Sequence, residues 1–103
     1  MKTKWDPKAK SSFRQIAKYI QRRFGSTARK NFIEEVKEIE GLLKRSPYVG
    51  KIDPLFANRP RTYRSVIINN LSKMVYFVEG DLIYIAAFWD TRCEPKKQAE
   101  QVK

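Results

Sequence analysis

The chain has 103 residues, room for one domain and not two. Hydrophobic residues at 42% and aromatics at 13% supply a core and exclude a disordered tail. Lys and Arg number 22 against 11 Asp and Glu, a formal charge of +11 and a pI near 10.0, which draws polyanions such as nucleic acid, the ribosome, an acidic protein or an anionic surface.

The first element is a short strand over Lys2 to Trp5, ended by Asp6-Pro7. That pair is a helix-start signal, with Asp6 as cap and Pro7 at the first helical position. Ala9, Phe13, Ile16, Ala17, Ile20 and Phe24 then recur at three- and four-residue spacing and make one apolar helical face. Gly25 suits the stop of this helix, and Ser26 a cap for the next. The second face runs through Ala28, Phe32, Val36, Ile39 and Leu43, until Ser46-Pro47 ends it. Two amphipathic helices joined by one tight turn are expected to form an antiparallel hairpin.

Residues 48–61 read as a connecting segment, rich in proline and long enough to suggest a functional loop. Strands are expected over Tyr63 to Ile68, Lys73 to Glu79 and Leu82 to Trp89, with turns at Asn69-Asn70 and Gly80-Asp81. Alternation puts Val66, Ile68, Met74, Tyr76, Val78, Ile83, Ile85 and Ala87 on one face. The last strand looks apolar on both faces, which places it inside the sheet. The expected fold is therefore α+β: a short N-terminal strand, a helical hairpin and a three-strand antiparallel meander, with the hairpin on one face of the sheet. Residues 1–95 form the single domain, and 96–103 a basic tail expected to fray.

Several chemistries are excluded by inventory. With no histidine and the single cysteine Cys93, neither a zinc site, a histidine-assisted nucleophile nor an internal disulfide is available. The four glycines are scattered, so there is no phosphate loop. No metal and no cofactor are expected. No apolar run approaches the roughly 20 residues that span a bilayer, and the first residues lack a secretory stretch. A cytoplasmic protein with no membrane partner is expected.

Taken together, these residues resemble the RelE/ParE toxin superfamily of bacterial type II toxin–antitoxin systems over almost the whole chain. The resemblance begins at Trp5-Asp6-Pro7-Lys8-Ala9 and runs through the hairpin and Ser46-Pro47-Tyr48-Val49-Gly50. It continues with Tyr63 to Ile68, Lys73 to Val78 and Ile83-Tyr84-Ile85, and closes with Trp89-Asp90-Thr91-Arg92-Cys93-Glu94-Pro95. It implies a growth-inhibiting toxin neutralised by a cognate antitoxin whose binding segment is acidic, with apolar anchors for a groove beside the hairpin or a sheet edge. It also implies one of two targets. The ParE branch acts on DNA gyrase, and the RelE branch cuts mRNA in the ribosomal A site; a degenerate fold serving only as a binding module is a third reading.

RNA cleavage of the RelE kind needs cations on a doubly charged phosphorane and a route for protons. By resemblance Lys73 and Arg92 match basic positions of such enzymes, and Arg64 completes the candidate catalytic set. Arg59, Arg61, Arg64, Lys73, Arg92 and Lys96 form the wider candidate surface for RNA or another target. Each has a structural alternative: Lys73 as a strand residue guarding an edge, and Arg64 as the partner of a carboxylate such as Asp90. The nuclease pattern often ends in a tyrosine or histidine, and this chain has no aromatic after Trp89. Tyr76 and Tyr84 sit where core residues are expected. These departures favour the ParE-like, target-binding mode.

Overall fold

The computed structural model describes residues 1–69 and 72–90. In chain order these form β1 (Lys2–Trp5), α1 (Pro7–Phe24), α2 (Ser26–Arg45), β2 (Lys51–Ile52), a 3₁₀ turn (Pro54–Phe56), β3 (Arg64–Ile68), β4 (Ser72–Glu79) and β5 (Leu82–Asp90). The sheet order is β1-β5-β4-β3-β2. The expected meander β3-β4-β5 is present, with β1 added parallel to β5 at one edge and β2 antiparallel to β3 at the other. The sheet is thus five-stranded and mixed. Its β2 comes from the segment expected to be a plain connection.

The helices form for the reasons the residues suggest. Asp6 Oδ1 accepts the Lys8 N–H at 2.9 Å, satisfying one orphan donor of α1, and Pro7 opens the helix. Gly25 alone joins the two helices. Its φ of 97° with ψ of 174° lies in a region open almost only to glycine, and its N–H closes α1 on the Gln21 carbonyl at 2.9 Å. Gly25 also takes the cap position of α2, so Ser26 is the first helical residue and not the cap. Ala9 and Ala17 of α1 are buried as expected, but Phe24 at the end of the helix is 64% exposed.

The two helices pack on one face of the sheet over Ile68, Met74, Tyr76, Ile83, Ile85 and Phe88. Phe88 is the centre of an aromatic cluster there. Its ring lies 5.6 Å from Phe13 and 6.0 Å from both Trp5 and Phe32, the spacings at which aromatic pairs attract. Opposite the helices a second cluster gathers Phe56, Tyr63, Val75, Phe77, Ala87 and Trp89. Two buried faces explain why β5 is apolar throughout.

Simple alternation fails at one place. Met74 pairs with Phe88 and Val75 with Ala87, yet Tyr76 pairs with Ile85, which leaves Ala86 as an extra residue in β5. This β-bulge reverses the phase of the strand beyond it. Ala87, expected on the helix side, therefore belongs to the opposite face, and Phe88 takes the helix side.

Candidate target-binding site

The segment between α2 and β3 is built onto the sheet by two polar anchors. One is Tyr76, fully buried on the middle strand β4. Its hydroxyl donates to the Pro47 carbonyl at 2.8 Å and accepts the Gly50 N–H at 3.0 Å. Burial raises the phenol above its ordinary pKa, against smaller opposing effects of the Gly50 hydrogen bond and the Arg64 charge. The other anchor is Asp53, only 5% exposed. Its Oδ1 caps the 3₁₀ turn by accepting the Leu55 N–H at 3.0 Å, and its Oδ2 meets the Lys73 ammonium at 2.5 Å. Asp53-Pro54 repeats the cap-then-proline signal of Asp6-Pro7, so this residue was legible though the sequence reading missed it.

The candidate basic residues fall into two groups. Arg59 and Lys73 both approach the Phe56 ring, each 5.9 Å from its centroid, on the face away from the helices. Lys73 lies on the middle strand with its side chain 17% exposed, so it guards no edge. Arg61 and Arg64 instead line one open groove of about 400 Å³ with Tyr48, Thr62 and Phe77. Arg61 stacks over Phe77 at 4.5 Å and meets Glu79 at 3.3 Å in an exposed pair. Arg64 donates to the carbonyls of Tyr48 at 3.2 Å and Gly50 at 2.9 Å, with its guanidinium 5.2 Å from the Tyr48 ring centre.

Lys73 and Arg64 are not brought together. Lys73 pairs with Ile67, three residues along β3 from Arg64, and an odd separation puts the two side chains on opposite faces. The structural alternative for Arg64, a pair with Asp90, is not formed: Arg64 donates to backbone carbonyls instead. Asp90 is level with Ser72 and Ile68, about 13 Å along the strand from Arg64. Arg92 and Lys96 lie outside the described residues.

Both strand tyrosines have their hydroxyls engaged in hydrogen bonds within the fold. Tyr84 donates to Asp6 Oδ2 at 2.8 Å, and that hydrogen bond, with burial and the Asp6 charge adding to it, raises its pKa. Tyr48, Phe56, Asp53 and Phe77 shape the site, and the sequence reading did not single them out. Besides the Asp53-Pro54 signal, Tyr48 carried a usable sign, an aromatic in a segment punctuated by Pro47 and Gly50.

A second concavity of about 250 Å³ lies on the helix side, between the hairpin and β1. Trp5, Phe13, Ile33 and Val36 give it an apolar floor, and Lys10, Arg14, Lys37 and Glu40 stand around its rim. No helix among the described residues is long and apolar enough to cross a membrane, and no group of three or more acidic or cysteine ligands gathers among them.

A hairpin on a five-stranded sheet, an arginine-lined groove and an apolar concavity with a mostly basic rim define a small cationic binding domain of α+β class. The chain matches the family of the ParE toxin of the type II toxin–antitoxin system, parDE, over residues 3–95, and belongs to that family. A solved structure described as "Chromosomal ParDE TA system from P. aeruginosa" shares the fold. It superposes with a TM-score of 0.69 at 19% identity, covering 87% of this chain and 95% of the other. No curated protein matches.

Proposed function

We propose that this toxin inhibits growth by binding its target, in the DNA gyrase manner of the ParE branch, rather than by cutting RNA. The observation that carries the reading is the separation of Lys73 from Arg64 on opposite faces of β4 and β3. A phosphoryl-transfer centre needs its cations converging on one phosphate. Here Lys73 is held by the buried Asp53 carboxylate and Arg64 by two backbone carbonyls. Arg61, Arg64 and the exposed Tyr48 instead offer a mixed cationic and aromatic groove of the kind that serves as an interface anchor.

An antitoxin covers the concavity between the hairpin and β1. Its apolar floor takes hydrophobic anchors, and the cations at its rim select an acidic segment, the helix-in-groove mode of peptide recognition. Ile33→Asp would release such a partner at any salt concentration, whereas a complex held by charge alone would dissociate as salt rises.

Two assays on the same protein test the target. Inhibition of gyrase supercoiling with intact mRNA in a reconstituted translation reaction is the expected pair of results. New mRNA ends at A-site codons, appearing only with ribosomes, would overturn the reading in favour of a ribosome-dependent endoribonuclease.

A further inference from the structure

The groove that holds Arg61 and Arg64 lies where one strand of the sheet stops short of its neighbour. β4 pairs with β5 as far as Glu79, but with β3 only as far as Tyr76, which faces Arg64. Phe77, Val78 and Glu79 therefore have β5 on one side and, among the described residues, no strand on the other. The chain before β3 runs outside the ladder at Arg61 and Thr62, and both residues line the groove with Val78. The groove is thus a strand-width notch beside β4, three residues or about 10 Å long.

The turn decides which backbone groups face this notch. Gly80-Asp81 is a two-residue turn closed by Glu79 and Leu82, with Gly80 at a φ of 58°. The closing pair of such a hairpin exchanges its hydrogen bonds across the turn, and the next residue along the strand directs its groups the other way. Val78 accordingly turns its N–H and C=O from β5 toward the notch, while its side chain packs on the helix-side core. Open edge groups of this kind are a template for a further strand.

Charge sets the kind of strand. Arg61 lies over the Phe77 ring and meets Glu79 at 3.3 Å, and Arg64 stands beside the Tyr48 ring. Both partners of the Arg61–Glu79 pair are open to water, so a second carboxylate can exchange with Glu79 at little cost. The geometry points to an extended, acidic segment of the target, which adds to β4 as a short strand at Val78 and replaces Glu79 on Arg61. Main-chain hydrogen bonds give such an addition its affinity and side chains its specificity. The proposal rests on the groove being the target-binding site, and names the form of what enters it. A second copy of this chain would bring its own charge of +11 to the same place. A nucleic-acid strand has no amide ladder to match Val78, and Glu79 in the wall repels its phosphates.

The test is an NMR titration of the isotope-labelled full chain at low salt. The probes are a peptide of five Glu-Val repeats, its fully N-methylated form, five Lys-Val repeats and a ten-nucleotide DNA strand. The Glu-Val peptide should shift the Val78 amide and slow its hydrogen exchange. Its affinity should exceed that of the N-methylated form, equal in charge but without N–H donors, by about 10-fold. Arg61→Ala should weaken it about 10-fold, the loss of a charge-assisted contact. Glu79→Gln should tighten it by about 2–5-fold, because the competing carboxylate is gone. A Val78 amide unmoved at millimolar peptide, equal affinity for the N-methylated form, no tightening by Glu79→Gln, or tighter binding of Lys-Val or DNA would each overturn the proposal. So would a Val78 amide protected in the free protein in proportion to its concentration, the mark of a second copy in the notch. The target reading is judged separately. Peptide binding without inhibition of supercoiling would remove gyrase and keep the strand site, whereas inhibition with Val78 unmoved would remove the strand site alone.

Discussion

Gly50 and Tyr76 are in such close contact that the glycine has no space for a side chain. A Cβ there would come within 2.6 Å of the Tyr76 hydroxyl oxygen and 2.8 Å of its ring, with the Ser65 carbonyl at 3.0 Å behind it. The same approach lets the Gly50 N–H donate to that hydroxyl and ties the chain after α2 to the middle of the sheet. Gly50→Ala should therefore destabilise the domain by about 1–3 kcal/mol, the usual cost of overpacking. Tyr76→Phe should cost a similar amount, about 1–3 kcal/mol, because it leaves the buried Gly50 N–H, and the half-buried Pro47 carbonyl, without the hydroxyl. Denaturant unfolding measures both, and a wild-type midpoint for Gly50→Ala would show that the segment relaxes away from the sheet at no cost.

Stability should fall as pH rises through the ordinary tyrosine range. Both Tyr76 and Tyr84 have raised pKa values in the fold, through burial for the first and the Asp6 hydrogen bond for the second. Below pH 10 both states keep these phenols protonated and stability is complete. Above it the unfolded chain releases protons that the native one retains, so stability falls until the folded pKa values are passed. Thermal melts between pH 9 and 11.5 should show this decline, less steep in Tyr84→Phe. An identical slope in that variant would remove Tyr84 from the account.

Breaking the Asp53–Lys73 pair from one side should harm the fold more than losing both partners. Lys73→Met leaves a carboxylate 5% exposed and uncompensated, a loss of about 3–5 kcal/mol. The double variant with Asp53→Asn should recover part of that, because the amide oxygen still accepts the Leu55 N–H. A double-mutant cycle reports the coupling, and additive losses would mean that the two charges do not depend on each other. A loss of toxicity on mutating Lys73 thus has a stability component that must be measured first.

Arg61 separates binding from folding. Its pair with Glu79 is exposed on both sides, and such pairs contribute about 0–1 kcal/mol. Arg61→Ala should leave the melting curve nearly unchanged while weakening inhibition of the target about 10-fold or more, in keeping with the loss of a guanidinium anchor. Retention of full toxicity would move the contact surface away from this groove. Arg64→Ala makes a poorer probe, since it also frees the carbonyls of Tyr48 and Gly50.

Local signals carried the helices and the meander. Asp6-Pro7, the period of Ala9 to Ala17 and the turn at Gly80-Asp81 are each decided within a few residues, and Asn69 takes its turn role with a positive φ of 54°. What the sequence did not disclose depends on contacts far apart in the chain. The extra residue at Ala86 is invisible because Ala86 and Ala87 are equally acceptable on either face, and only the pairing with β4 selects between them. Phe24 matched the period of its helix, but period does not tell where the sheet beneath the helix ends. For the site, residue type identified the basic residues, whereas their division between Phe56 and the Tyr48 groove follows from which face of which strand each occupies.

The parallel pairing of β1 with β5 has a consequence for how the molecule comes into being. Lys2 is matched to Leu82 and Trp5 to Ile85, so β1 has no strand to pair with until some 80 further residues have been made. At 5–20 residues per second that interval of 80 residues lasts about 4–16 s. Throughout it Trp5 lacks Phe88, and the concavity that Trp5 helps to floor is incomplete. Arrested nascent chains ending before residue 82 should be cut freely by protease within residues 1–6, and protection there would contradict the order. Among the described residues β5 is the last strand, so the edge of the sheet at β1 and the floor of the concavity are completed together, by the same late pairing.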